Sequence, residues 1–125
     1  MQSIPSSHLH ASPEVEALLQ NHARRISSQA PAWETVGLVS LDQSGNILSD
    51  IVLASGPDLG IHLSPCSALK AALGTGAEHV LVWCFCSNSS DPMRVPFVEF
   101  LNVLHAGCAE FGLGLRVRLI SGEPA

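Results

Sequence analysis

Apolar positions along this chain change period several times, and the changes mark out its elements. Val15, Leu18, Leu19, His22 and Ile26 recur at helical spacing, which predicts an amphipathic helix over 13–28. Ser12 offers a hydroxyl as N-cap, Pro13 suits the first helical position, and Glu14 and Glu16 favour the positive helix end. Ala30-Pro31 ends the pattern. From 34 to 41 the residues are short, β-branched and apolar, and Asp42-Gln43-Ser44-Gly45-Asn46 forms a turn before a second apolar run over 47–54. So few turn residues can join antiparallel strands but not parallel ones, so this pair is a β-hairpin. Ser55-Gly56-Pro57-Asp58 breaks the strand pattern.

Ser64-Pro65 repeats the cap-and-proline start, and 66–73 reads as a short helix stopped by Gly74. His79–Cys86, HVLVWCFC, is apolar almost throughout. A strand covered on both faces reads this way, which makes it the centre of the sheet. The polar loop Ser87-Asn88-Ser89-Ser90-Asp91-Pro92 leaves its carboxyl end. Pro96 opens a helix over 96–111, with Phe97, Phe100, Leu101, Leu104 and Cys108 on one side. Gly112 and Gly114 end it, and 115–120 alternates apolar residues with Arg116 and Arg118 as a last strand. The order α-β-β-α-β-α-β predicts a single α/β domain, a mixed sheet flanked by helices in two layers or three. Residues 1–11 read as a flexible lead-in and 12–122 as the domain.

Composition narrows the function classes. The 125 residues are about one ordinary domain, and with 46% hydrophobic and 14% charged residues the chain is not of the disordered kind. Its apolar runs fall short of the ~20 residues of a membrane span. The start MQSIPSSHLH has neither the basic nor the apolar region of a secretory signal, so a cytoplasmic protein is expected. Net charge is −5 and the six Lys and Arg are dispersed, which argues against an extended nucleic-acid surface. Arg116 and Arg118 read as a solvated strand face. Cys66, Cys84, Cys86 and Cys108 read as reduced core residues rather than a disulfide set.

Ligand sites in α/β sheets gather at the carboxyl ends of strands, which here means the loop after Cys86. Several features in order resemble the RadC-like branch of the JAB/MPN metalloprotease superfamily. These are Ser12-Pro13-Glu14-Val15 and Glu34 before Leu41-Asp42, followed by Gly56, Ser64-Pro65 and Ala71-Ala72-Leu73. Ala77, Asp91-Pro92 and Ala106-Gly107 continue the series, and the likeness spans roughly 12–122. It implies the JAB (cytidine deaminase-like) architecture and a zinc site at that loop. There the family uses His-x-His and a later Asp as ligands, and a Glu on the first hairpin strand as general base. Counting forward from Pro65 puts Cys84-Phe85-Cys86 at His-x-His, whereas counting back from Asp91-Pro92 puts Phe85 and Ser87 there. Both histidines are absent in either alignment. The third ligand falls at Val98 or Glu99, of which only Glu99 binds metals, and Glu34 takes the general-base position.

The leading expectation is therefore a pseudoenzyme, with Glu34 vestigial, no catalytic residue and no cofactor, retained as a binding or scaffolding module for an unidentified protein partner or as a homodimer. A first rival is a hydrolase or isopeptidase with zinc on Cys84, Cys86 and Glu99, the two thiols sharing a strand face at i, i+2. Against it stands a core strand in which those small residues only pack. A second rival is a thiol-based redox protein using Cys84 or Cys86, though no Lys, Arg or His adjoins them to favour a thiolate. Of the other candidates, His8 and His10 fall in the lead-in without a third ligand. His22, His62, His79 and His105 read as hydrogen-bonded structural histidines. Ser87, Ser89 and Ser90 lack a nucleophile elbow, Cys108 reads as inert, and Gly74-Thr75-Gly76 reads as a helix stop.

Overall fold

Two inner strands, one of them buried from end to end, divide the molecule into a side with one helix and a side with two. The computed structural model describes residues 13–27, 34–56, 63–86 and 95–121. In chain order the elements are α1 (Pro13–Ser27), β1 (Glu34–Leu41), β2 (Ile47–Gly56), α2 (Pro65–Gly74), β3 (His79–Cys86), α3 (Val95–Glu110) and β4 (Gly114–Ser121). The sheet runs β2-β1-β3-β4. β1 is antiparallel to β2 and β3, and β3 is parallel to β4, so the sheet is mixed as expected. α3 supplies the crossover that parallel neighbours need. No helix of the described residues is long and apolar enough to cross a membrane.

Strand alternation sorts the core into two halves. Val36 and Leu38 of β1 and Val80, Val82 and Cys84 of β3 pack with Ala68 and Ala72 of α2 and Phe97, Phe100, Leu104 and Cys108 of α3. Val39 and Leu41 with Leu81, Trp83 and Phe85 face the other way, against Val15 and Leu19 of α1. The layers are thus three, a choice the hydrophobic pattern left open. β3 is inner, as its unbroken apolar run predicts, and it shares that position with β1, every residue of which is buried.

Local signals set most boundaries. Ser64 Oγ accepts the Ser67 amide at 3.1 Å, capping α2. The Ser12 cap expected for α1 lies outside the described residues, as do the lead-in 1–11 and the loop 87–94. β2 passes the break expected after Ala54 and runs to Gly56. The physical reason is cross-strand: Thr35 pairs with Ser55 and their hydroxyls meet at 2.9 Å, so the inner strand carries its partner on through polar residues. Cys66 departs from the expected core position and is exposed, because α2 turns Ala68 and Ala72 inward instead.

In the hairpin turn Asp42 accepts the amides of Ser44 at 2.9 Å and Asn46 at 2.8 Å, while Asn46 Nδ2 donates to its other oxygen at 3.0 Å. These bonds, the Asn46 amide first, hold the Asp42 carboxyl below its ordinary range. Gly45 at φ 91° closes the turn, a conformation in which glycine is at ease.

β1 and β3 approach most closely at one pair. Gly37 stands directly opposite Trp83, and a Cβ at Gly37 would come within 2.2 Å of the indole ring. The absent side chain is what lets the indole lie on the sheet.

Two outcomes follow. Gly37→Ala should lower stability by about 1–3 kcal/mol in urea titration, and the loss should shrink in a Trp83→Leu background; an equal loss in both backgrounds would show that the indole is not the cause. Because the folded Asp42 carboxyl ionises below its unfolded value, its contribution is present above the unfolded value and is lost as pH falls through the folded one. Asp42→Asn should therefore flatten the acid side of the stability curve, as read by thermal melts across pH.

Candidate functional site

Glu34 opens β1 and lies opposite Cys86 in the ladder, with Thr35 opposite Phe85 and Val36 opposite Cys84. Val36 belongs to the two-helix side, and Glu34, two residues earlier, stands on the same face. The carboxylate residue is 3% exposed. The ladder thus brings a buried Glu to the carboxyl end of the inner strand β3, beside Cys84 and the backbone of Cys86.

Cys84 is buried in the same apolar cluster as Val82, Phe97 and Phe100. Phe85 is wholly buried on the α1 side. Glu99 is exposed near the start of α3, since Phe97 and Phe100 turn inward on either side of it. Among the described residues no three His, Cys, Asp or Glu side chains could hold a metal ion. Glu34 and Cys84 are two donors, short of the three protein ligands that a catalytic zinc takes, so the described residues do not by themselves fit that metal. Ser87, Ser89, Ser90, Asp91, His8, His10 and His62 lie outside the described residues.

A second polar constellation lies on the other side of the sheet. His22 of α1 is 5% exposed, and its Nε2 is 2.8 Å from Asp50 Oδ2 of β2. Arg25 Nη2 is 2.6 Å from its Nδ1. The imidazole stacks on Trp83 with ring centroids 4.5 Å apart and planes 20° from parallel. A guanidinium only donates, so Nδ1 accepts, and Nε2 carries the hydrogen given to Asp50. His22 is the hydrogen-bonded structural histidine expected from its helix face. Its carboxylate partner could not be read from α1, because Asp50 is 28 residues away and meets it only when β2 pairs with β1.

Other candidates resolve individually. His79 is half-buried at the start of β3, where a Cβ on Gly114 would meet its Nδ1 at 2.6 Å. His105 is exposed on α3. Gly74-Thr75-Gly76 is a helix stop: the Thr75 amide and hydroxyl both bond the Ala72 carbonyl, at 3.2 and 2.8 Å. Cys108 is buried, and burial pushes its thiol up, which disfavours the reactive thiolate. The Arg116–Arg118 face is not simply solvated, because α1 lies against it. Arg118 grips Glu16 with two bonds of 2.7 and 2.9 Å, which raises its own pKa, and Arg116 Nε is buried with no partner among the described residues.

Exposure orders the thiols in a way a labelling experiment reads directly. A maleimide should modify Cys66 in the native protein, while Cys84 and Cys108 should react only on unfolding, as followed by mass spectrometry. Fast native labelling of Cys108 would contradict its packing against the sheet. In comparison with known proteins, no protein-family model matches this sequence and no curated protein matches it.

Proposed function

We propose that this chain is a degenerate RadC-like JAB domain that lacks metalloprotease activity and serves as a binding or scaffolding module for another protein. The observation that carries the reading is the β1–β3 register. It sets the buried Glu34 opposite position 86 and on the face of Cys84, the relation that the resemblance calls for between general base and metal-ligand strand. The same register favours one of the two alignments. Phe85 pairs with Thr35 and is buried under α1, away from the face of Glu34. The gapless alignment, with Cys84 and Cys86 at the ligand positions, is therefore the one that keeps both positions on one face with the base.

That alignment also says why the chemistry is missing. Hydrolysis at such a site needs a metal-bound water whose proton a nearby carboxylate takes. Here thiols replace the imidazoles, and Cys84 is packed among apolar side chains. A carboxylate with no activated water in reach has no proton to move. What remains useful is the shape, and a module of this kind works through its surface, toward a protein partner of other sequence or a second copy of itself.

The decisive experiment pairs metal content with a conservative variant. Protein purified without added zinc should contain no stoichiometric metal by elemental analysis. Glu34→Gln keeps size and removes the base. A working base contributes about 10²–10⁴-fold, so any peptidase or isopeptidase rate should be at background and unchanged by this substitution. About one zinc per chain, lost when Cys84 and Cys86 are replaced together, would overturn the reading, as would chelator-sensitive cleavage that falls a hundredfold or so in Glu34→Gln. The rival metalloenzyme would then be the better account.

A further inference from the structure

We propose that His22 is a proton-operated latch at the end of α1, which holds Arg25 while the ring is neutral and releases it when the ring is protonated. The inference does not depend on the RadC-like reading, because it concerns the opposite face of the sheet. The Arg25 guanidinium is a permanent cation with donors only, and it lies 2.6 Å from Nδ1. That contact exists only while Nδ1 offers a lone pair. The other nitrogen, 2.8 Å from Asp50, then carries the hydrogen.

Adding a proton changes the two sides of the ring in opposite senses. At Nδ1 a donor comes to face a donor and two positive charges meet, so the bond to Arg25 must break. At Nε2 the existing bond to Asp50 becomes charge-assisted on both partners and strengthens. The stack on Trp83 gains a cation against an aromatic face. The ring therefore keeps its seat, and Arg25 leaves toward the last carbonyls of α1, where the helix end attracts a cation. The switch exchanges one bond for another without undocking the helix.

The charges that face this ring are few among the described residues. α1 contributes Arg25, while Arg24 is engaged by Asn21 at 2.6 Å. β2 contributes Asp50. β3 presents Trp83 and β1 presents Gly37 and Val39, none of which titrates. On β4, Arg118 is tied to Glu16 near the start of α1. One carboxylate and one guanidinium on opposite ring nitrogens make the response directional.

The test uses the whole chain and follows the ¹⁵N NMR signals of the His22 ring as the pH is lowered stepwise from the alkaline side. At the alkaline end the Nε2–H tautomer is expected, with slowed exchange of the Arg25 guanidinium protons. Once both ring nitrogens carry protons, the His22–Arg25 bond should be lost, the bond from Nε2 to Asp50 should remain, and the α1 backbone shifts should persist. Double-mutant cycles give a second reading, with His22→Phe, which keeps a stacking ring, crossed against Arg25→Ala and Asp50→Asn. Coupling to Arg25 should be worth about tenfold in the unfolding constant when His22 is neutral, and should vanish in acid, while coupling to Asp50 persists or grows. An Nδ1–H tautomer at alkaline pH would overturn the latch, as would Arg25 coupling undiminished in acid. If a variant fails to fold, the tautomer in the unchanged chain decides the question.

Discussion

Trp83 lies across the β1–β3 ladder from Gly37, and its ring fills the space that any side chain there would need. The indole lies low on the sheet instead of standing off it, and its outer face receives the imidazole of His22. α1 is then held at three places by different physics. Val15 and Leu19 bury apolar surface, Glu16 ties to Arg118 on the edge strand β4, and His22 reaches Asp50 on the opposite edge strand β2. A larger residue at position 37 would lift the ring and with it the seat of the helix. The arrangement has a cost, since the Trp83 Nε1–H is buried with no partner among the described residues. An unmet donor costs about 1–3 kcal/mol, which burial of so large a ring offsets.

Covering both faces of β1 and β3 constrains what these strands can carry. Polar atoms there have little access to water, and Ser40 Oγ is a second buried group with no partner among the described residues. Glu34 is tolerated at the strand end, where the ladder stops and the chain leaves the sheet. This is also where α/β sheets present ligand sites, because strand ends are the places at which buried backbone order meets variable loops. The position of a charged residue at that end is thus a matter of topology before it is a matter of chemistry.

Under the proposed reading, the scaffold and the chemistry have separated. Packing depends on the alternation of apolar residues, and Cys84 serves that alternation as well as any small apolar side chain. Metal hydrolysis depends on the donor atoms at two or three positions, which packing does not require. Losing them leaves the fold intact, and a domain in that condition is available for recognition. The His22 constellation shows the complementary case, in which polar groups are kept inside because each ring nitrogen has a partner of the right kind.

The order of the elements and most of their bounds were legible in the sequence because their signals are local: helical spacing from Val15 to His22, the Asp42–Asn46 turn, the cap at Ser64, and the apolar run at β3. That run also announced an inner strand. The sequence carried the resemblance, and with it the interest of Glu34, Cys84 and Cys86. It did not carry the number of layers, the exposure of Cys66, the grip of Glu16 on Arg118, or the pairing of His22 with Asp50. Each of these depends on which face of an element meets which neighbour, and residues 16 and 118 stand 102 positions apart. Local periodicity records only that a face is apolar. The β1–β3 register brought Glu34 to position 86 and Gly37 beneath Trp83, and a register is a relation between two segments that neither one encodes alone.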